Sequence, residues 1–397
     1  MSDTFIVPYL NGVEATSIPY TRCMITNIVD HIGDELKADI YVAHLEEAVW
    51  AAYALKQKFN DGAIYLDQVE IPGLYMQDRC LLKPYKNFLE IYMEFTAKAM
   101  IKKVDKILTA SKPLKDFINE KYSFKDIITI ENYPYYHKLK NDKQTIIRAL
   151  CRAEDSDILI LYPNNIYSVL QFEKILDWLA SLPAHFKMVS VGHISTKDLN
   201  DLNLYAEKIG MKNRVMFFNE NDFSNMADFC SGADFSFICP NPQILNDYLT
   251  LSNRIFDCIR ARLPILSYDV PAHKFYIDEY KIGEVVSLEN QSNQMPELIK
   301  RFADKLEFYR SNLENAAKAL VWEAQENKFL EFFNYPKTVT FIGKNDLSNN
   351  NRTLRMVQTL VNLGTKVNIV TTSDPKEPIT KVNYYNMHTY FKQNLSN

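Results

Sequence analysis

The stretch YLTLSNRIFDCIRARLPILSYDVP (residues 248–271) joins a short helical pattern to an apolar strand. Ser252 is a candidate N-cap, and the spacing predicts a helix from Asn253 to about Arg260 with one apolar face. The segment LPILSYD (263–269) then predicts a strand that is buried on both faces. A helix that leads directly into such a strand is typical of a parallel sheet flanked by helices.

The same alternation of apolar runs and helical periods continues through the chain and predicts the α/β class. Helical segments fill most of the gaps between the predicted strands. Those strands are 38–44, 62–69, 106–111, 127–132, 157–163, 186–192, 214–219, 234–240, 263–269, 338–343 and 366–373.

Composition limits the classes of function. A chain of 397 residues exceeds the usual size of a single core, so we expect two domains. A net charge of −4 argues against nucleic acid as the main partner. The six cysteines show no metal-ligand spacing, and no run is long and apolar enough to span a membrane, so we expect reduced thiols in a cytoplasmic protein.

The start of the helix in 248–271 is a candidate ligand site. It would follow the strand 234–240, and ligands of open α/β sheets collect outside the carboxyl ends of strands. Arg254 has the fork geometry that suits phosphate oxygens, and Asp257, one turn on, could accept hydrogen bonds from ribose hydroxyls. The alternative is an ordinary exposed helix whose charges compensate its dipole.

The same stretch resembles the donor-site segment of GT-B glycosyltransferases, above all their large retaining class, which often reads YL-x-x-PNK-x-FEY-x-AAG-LPV. Ser252, Asn253 and Arg254 stand at P-N-K, and Asp257 stands at the Glu of F-E. The run 186–240 is similar to the strand, Gly loop, helix and strand order of the family, and Gly192 and His193 fall at its Gly loop. The resemblance implies two Rossmann-like domains whose parallel sheets face a cleft. It also implies that Asp257 holds the nucleotide ribose and that residues 252–254 hold the diphosphate.

The amino-terminal part resembles the later strands of the family's acceptor-side domain. The run 38–73 looks like its D-V-I-H-A-H-D and L-V-Y-D-x-H-E segments, with His44 at the second His and Asp67 and Glu70 at the Asp and Glu. The opening elements of that domain are instead similar to 338–372, where Gly343 ends the first strand. The chain would then be a circularly permuted GT-B protein, which we favour, or 338–397 would begin a second, truncated copy.

This order implies three segments with boundaries near 133–156 and 334–337. Residues 1–145 would hold the later acceptor-side strands, and 146–333 the nucleotide-sugar domain with its closing helix. Residues 334–397 would supply the first acceptor-side strands and helix. If the chain is permuted, the strand at 338–343 should pair with strands of the first segment.

The acceptor-side residues have open roles. His44 could bond a hydroxyl or transfer a proton near the reacting sugar, or it could be a satisfied histidine at a strand end. Asp67 and Glu70 could bind an acceptor hydroxyl or cap the next turn. Gly343 and the 344–352 loop could approach donor phosphate or acceptor, although Asn-rich turns before helices are ordinary.

Several residues that the family usually carries are missing. Leu249 stands eight positions before Asp257, where the retaining class has its first acid, and the run 163–174 offers a basic residue only at Lys174. Val69 replaces the His of D-x-H-E. The resemblance implies transfer without a bound metal or a cofactor, and the Asp-Ser-Asp run at 155–157 is typical of a solvated turn.

The sequence therefore predicts a glycosyltransferase with a nucleotide-sugar donor of UDP or GDP type, in surface polysaccharide or glycoconjugate synthesis. The acceptor would be a glycan, a lipid-linked molecule or a protein. The alternatives are a non-catalytic GT-B module that binds nucleotide sugar or a partner enzyme, and a sugar-nucleotide epimerase. A stripe of basic residues could contact the inner face of a membrane peripherally, which is a further hypothesis. The alternative is that the stripe is an ordinary solvated face. Its members are Lys98, Lys102, Lys103 and Lys106.

Overall fold

The chain forms two compact units. The computed structural model describes residues 34–71, 94–139, 146–166, 168–219, 226–287, 294–343, 347, 350–371, 374–375 and 378–386. The first unit takes in the described parts of 1–131 and 326–397, and the second takes in those of 132–325.

Thirteen strands are present in the described residues. They are β1 (Ile40–His44), β2 (Ala63–Gln68), β3 (Lys106–Thr109), β4 (Ile127–Thr129), β5 (Ile158–Tyr162), β6 (Phe186–Val191), β7 (Val215–Phe218), β8 (Phe235–Ile238), β9 (Ile265–Tyr268), β10 (Gly283–Val286), β11 (Thr338–Ile342), β12 (Lys366–Thr371) and β13 (Val382–Asn386). All eleven strands expected from the sequence are found, and β10 and β13 are additional.

Helices connect these strands along the chain. They are α1 (Val49–Phe59), α2 (94–101), α3 (Lys112–Tyr122), α4 (Ile146–Leu150), α5 (Val169–Ser181), α6 (Thr196–Lys208), α7 (Met226–Cys230), α8 (Leu245–Leu249), α9 (Arg254–Arg260), α10 (Pro271–Tyr280), α11 (Met295–Ala303), α12 (Leu306–Ala319), α13 (Trp322–Phe333) and α14 (Asn351–Leu363). Short 3-10 turns cover Asp34–Leu36 and Glu46–Ala48.

The sheet of the first unit has seven parallel strands in the order β13-β12-β11-β1-β2-β3-β4. The pairing expected of 338–343 is present, because Val339 pairs with Ile40 and Ile342 pairs with Ala43. If β11 is numbered as the first strand, followed by β12, β13 and then β1 to β4, the order across the sheet is 3-2-1-4-5-6-7. This is a doubly wound order, in which the strand order reverses beside the first strand. This order agrees with a permuted chain, and the permutation itself stays a prediction.

The sheet of the second unit has six parallel strands in the order β10-β9-β8-β5-β6-β7. Its direction changes between β5 and β8, which pair with each other through Ile160 and Leu161 of β5. Two clusters of buried apolar side chains, which include Leu159 and Leu161 in one and Ile160 in the other, cover the two faces of this sheet. Neighbouring residues of β5 thus point to opposite faces, as a sheet covered on both sides requires.

The four-lysine stripe proposed from the sequence is not one solvated face. Lys98 and Lys102 are exposed. The Lys103 ammonium lies 3.8 Å from the centre of the Tyr53 ring, and Lys106 donates a hydrogen bond to the Phe332 carbonyl at 3.0 Å. Two of the four charges therefore hold elements of the first unit together. In the part of the chain that the structure describes, no helix is long and apolar enough to cross a membrane.

Candidate functional site

The predicted site residues fall into two groups, each inside one unit. The group of the second unit lies beside the point where the strand order reverses, between β5 and β8. Asn164 follows β5 and donates its side-chain amide to the Phe237 carbonyl of β8 at 3.3 Å. In open α/β sheets, the carboxyl edge beside such a reversal is the position at which ligands bind.

The loops after β5 and β6 pack directly on each other. The His193 N–H donates to the Asn165 side-chain oxygen at 2.8 Å. A Cβ atom on Gly192 would lie 2.5 Å from the Asn164 carbonyl oxygen, so no larger residue fits there without moving the backbone. Packing between loops thus explains the glycine at 192, and a contact of Gly192 or His193 with a donor stays a prediction.

Helix α9 begins at the carboxyl edge of this sheet, one residue later than expected. Asn253 has helical dihedral angles and is the N-cap, without a side-chain cap hydrogen bond. Ser252 was expected in that role; its hydroxyl instead accepts a hydrogen bond of 3.4 Å from the Arg254 N–H, in the turn before the helix. Ile255, Phe256 and Ile259 are buried, which fixes the polar face of α9 away from the core.

Arg254 and Asp257 share that polar face. One Arg254 guanidinium nitrogen lies 3.7 Å from an Asp257 carboxylate oxygen, and the two side chains are 24% and 41% exposed. A partly exposed pair of this length contributes little to stability. The pair places a guanidinium and a carboxylate on one helix face, and these groups can bind phosphate and hydroxyl groups respectively.

Two departures from the family pattern stand at the same edge. Leu249 is buried at the position of the usual first acid. Lys174 lies within α5 and not in the turn that follows β5. Among the described residues, no three His, Cys, Asp or Glu side chains are grouped as a metal ion would require.

In the first unit, His44 and Asp67 stand side by side at the ends of β1 and β2, where their registers match. The His44 Nδ1 atom lies 3.0 Å from one Asp67 carboxylate oxygen. Leu45, the next residue, has φ 65° and ψ 164°, and its N–H donates to the Asp67 carbonyl at 3.0 Å. This backbone conformation is costly for a residue with a Cβ atom, and such strain is concentrated at functional sites.

Asp67 is only 1% exposed, and the other oxygen of its carboxylate is paired with Arg352, which is 2% exposed. Burial alone would raise the pKa of Asp67, but the charge of Arg352 and the hydrogen bond from His44 outweigh it and lower the pKa to about 2. Both oxygens thus have side-chain partners. We therefore expect Asp67 to act through His44, and a contact of Asp67 with an acceptor hydroxyl stays a prediction.

Asn350 completes this group from the start of α14. Its side-chain oxygen accepts hydrogen bonds of 3.1 Å from the N–H groups of Arg352 and Thr353, which makes it the N-cap. Its amide nitrogen lies 3.4 Å from His44 Nε2. The cluster His44, Asp67, Asn350 and Arg352, called here the His44 cluster, lies where the strand order of the first sheet reverses.

Neither Asn350 nor Arg352 was singled out from the sequence, where the whole 344–352 loop was a candidate for contact with donor phosphate or acceptor. The signal that could have found Arg352 is the expected pairing of β11 with β1. That pairing brings the residues after β11 to the same edge as Asp67, and a buried acid needs a cation there.

The two remaining predicted residues have local roles in the fold. Glu70 is half-buried, and its carbonyl accepts a hydrogen bond of 2.8 Å from the Gln68 side chain. A Cβ atom on Gly343 would lie 2.7 Å from the end of the Leu347 side chain, so the glycine gives that side chain room. Contacts of Glu70 or Gly343 with substrate stay predictions.

No protein-family model matches the chain, and no curated protein matches its sequence. Solved structures do match its fold. Sucrose-phosphate synthase from Thermosynechococcus elongatus is 14% identical with a TM-score of 0.63, over 82% of this chain and 80% of that one. HepE from Anabaena in complex with UDP is 10% identical with a TM-score of 0.60, over 80% and 82%. A glycosyltransferase from Rickettsia africae is 16% identical with a TM-score of 0.54, over 83% of each chain.

These similarities cover most of both units and confirm the predicted fold. The chain has the GT-B fold, with two parallel sheets flanked by helices. At sequence identities of 10–16%, these similarities establish the fold only. The roles of individual residues must be inferred from the geometry of this protein.

Proposed function

We propose that the protein is a glycosyltransferase that takes a sugar from a nucleoside diphosphate donor of UDP or GDP type. The observation that carries the proposal is the position of Arg254 and Asp257 at the carboxyl edge of the second sheet, on a GT-B fold. Parallel sheets bind nucleotides at this edge, beside the reversal of strand order. HepE has been solved with UDP and with UDP-glucose, which supports a uridine donor.

Each of the two charged residues has a distinct task in this proposal. The Asp257 carboxylate accepts hydrogen bonds from the ribose hydroxyls. The Arg254 guanidinium faces the diphosphate and offsets the negative charge that grows on it as the sugar departs. No metal is needed for this charge stabilisation, and the resemblance of 248–271 to the retaining class favours transfer with retention.

In the first unit, His44 is the candidate for contact with a sugar or acceptor hydroxyl. Its side chain is 15% exposed, so part of the ring is accessible to a ligand. The acceptor would carry a hydroxyl group, as glycans, lipid-linked sugars and many side chains do. A role in surface polysaccharide or glycoconjugate synthesis is part of the same proposal.

A second candidate is a module that binds a nucleotide sugar without turning it over. The buried Leu249, in place of an acid, and the position of Lys174 inside α5 favour this alternative. A site with one arginine near the diphosphate would bind a donor and stabilise its departure less well.

The test is nucleotide release from UDP-glucose and GDP-mannose, each measured with and without a mixture of simple glycan acceptors. A transferase releases nucleotide faster when an acceptor is present, and this release falls at least tenfold in Arg254→Ala. Lys274→Ala is the matched control, because Lys274 forms a similar exposed pair with Asp278 on α10. Donor binding without any release would instead support the non-catalytic module.

A further inference from the structure

We propose that Arg352 and Asn350 are positioning residues that hold His44 as a neutral imidazole, with its proton on Nδ1 and a free electron pair on Nε2. The inference rests on the proposed function, because it states what His44 offers to a substrate. It concerns two residues to which the family pattern assigned no role. Geometry fixes the proton position in two independent steps.

The first step comes from the carboxylate of Asp67. Arg352 donates to one of its oxygens, and the other lies 3.0 Å from His44 Nδ1. Arg352 also donates to the Ile130 carbonyl at 2.9 Å, so its guanidinium is fixed on both sides. A carboxylate only accepts hydrogen bonds, so His44 Nδ1 must carry a proton.

The second step comes from the side-chain amide of Asn350. Its oxygen is identified by the two N–H groups that donate to it from the first turn of α14. The other end of the amide, 3.4 Å from His44 Nε2, is therefore the NH₂ group. An NH₂ group only donates, so this contact is a hydrogen bond only when Nε2 is unprotonated. With one proton on Nδ1 and none on Nε2, the ring is neutral.

Charge balance explains why the ring stays neutral beside an acid. A buried carboxylate next to a histidine normally favours the imidazolium form. Here the Arg352 charge already offsets that of Asp67, and a second cation would give the four residues of the His44 cluster a net positive charge. Glu46, a buried acid outside the cluster, accepts a hydrogen bond of 2.9 Å from the uncharged Gln68 side chain.

A neutral ring with a free Nε2 electron pair suits a hydroxyl group. At 3.4 Å the contact with Asn350 is long, so a ligand hydroxyl can displace it and donate to Nε2. A phosphate or carboxylate cannot donate and would be repelled. His44 therefore selects a hydroxyl of the sugar or acceptor and does not serve as a cation for the leaving diphosphate.

The test uses NMR of the full-length protein labelled with ¹⁵N-histidine, with His44→Gln to assign the signal. The pattern of nitrogen shifts distinguishes the Nδ1–H form, the Nε2–H form and the imidazolium. We expect the Nδ1–H form at pH 7.5. Finding His44 as imidazolium or as the Nε2–H form at that pH would overturn the proposal.

Asn350→Asp makes the sharpest variant. It keeps a good N-cap for α14 but replaces the NH₂ donor with an acceptor oxygen, so that His44 must hold a second proton to bond it. In Asn350→Asp we expect the ¹⁵N signals of His44 at pH 7.5 to move from the Nδ1–H pattern towards the imidazolium pattern. Asn350→Ser, which also keeps a cap but adds no charge, should keep the Nδ1–H pattern. An unchanged Nδ1–H pattern in Asn350→Asp would contradict the positioning role.

Arg352→Gln and Arg352→Lys test the other residue. Loss of the charge in Arg352→Gln should move the ¹⁵N signals of His44 at pH 7.5 towards the imidazolium pattern, whereas Arg352→Lys should keep the Nδ1–H pattern. If Arg352→Gln does not fold, Asn350→Asp decides the question. The same His44 signal pattern in folded Gln and Lys variants would refute the role of Arg352.

The NMR measurements need no ligand, so they test this inference independently of the proposed function. If the protein turns over no donor while His44 shows the Nδ1–H form, only the transferase proposal fails. If it does turn over donor, Asn350→Asp should lower kcat/KM at least tenfold at pH 6.5, with recovery as the pH is raised. A loss that does not change with pH would indicate a merely structural effect.

Discussion

The buried ion pair between Arg352 and Asp67 makes each residue dependent on the other. Removing one charge would leave the second without a partner at a site that is almost fully buried. Arg352→Met should therefore lower the free energy of unfolding by about 3–5 kcal/mol, measured by urea denaturation at pH 7. The double variant Arg352→Met with Asp67→Leu should recover much of this loss. A loss below about 1 kcal/mol in the single variant would show that the pair is open to water.

His273 is a second buried titrating residue, and it predicts how stability depends on pH. It is fully buried, with Nδ1 at 2.8 Å from the Ser267 hydroxyl, and burial lowers its pKa to about 4. Well above pH 6.5 the ring is neutral in both the folded and unfolded states, and its titration does not affect stability. As the pH falls from 6.5 to about 4, the unfolded chain binds a proton that the folded protein does not, so stability decreases.

The matched variant is His273→Asn, which keeps a polar group of similar reach. The difference in unfolding free energy between the two proteins should change by about 3 kcal/mol between pH 7 and pH 4, because one pKa unit corresponds to about 1.4 kcal/mol. Urea denaturation at several pH values measures it. Parallel pH profiles for the two proteins would mean that His273 is accessible to protons in the folded state.

At the level of residues, the sequence placed His44 and Asp67 at adjacent strand ends, and the structure joins them by a hydrogen bond. Arg352 was not identified beside them, because this contact crosses 285 positions of the chain. It depends on the register between β1 and β11, which no local pattern encodes. Arg254 and Asp257 lie one turn apart on α9, so their proximity follows from helical period alone.

Among the elements, the end of α10 offers a test of backbone strain. Lys281 is the C-cap of this helix, with φ 51° and ψ 46°, and its side chain is exposed. The left-handed backbone conformation is sterically unfavourable for residues with a Cβ atom, and glycine avoids this energetic cost. Lys281→Gly should therefore raise the free energy of unfolding by about 1 kcal/mol, and Lys281→Ala should not. A destabilised Gly variant would show that the lysine stem contributes packing.

Element prediction succeeded where strands are buried on both faces and failed at β10 and β13. Strand β13 reads VNYYN, and no residue in it is fully buried, so it lacks the apolar run by which the other strands were identified. Strand β10 begins with Gly283, which resembles a turn in sequence. Both strands lie at sheet edges, where fewer positions are buried and fewer residues therefore need to be apolar.

At the scale of the whole molecule, the first sheet depends on strands from both ends of the chain. Deleting 334–397 removes β11, β12, β13 and Arg352, and it exposes the apolar edge of β1. We expect the first unit to lose its fold, seen as rapid proteolysis within 34–131, while the second unit keeps its own core. Adding the separate fragment 334–397 should restore protection. A truncated protein whose first unit stays folded would support a second, truncated copy at 338–397.

The central claim is that the polar face of α9 binds a nucleoside diphosphate, and calorimetric titration with UDP, GDP, CMP and ADP tests it most directly. We expect UDP or GDP to bind and Asp257→Ala to weaken that binding by about 1–3 kcal/mol, because ribose hydroxyls lose their partner. Arg254→Ala should weaken it at least tenfold, and Asp278→Ala, the matched control on α10, should leave it unchanged. If none of the four nucleotides binds, the proposed nucleotide site on α9 is wrong. It is also wrong if Asp257→Ala and Arg254→Ala both bind the nucleotide as tightly as the unaltered protein does.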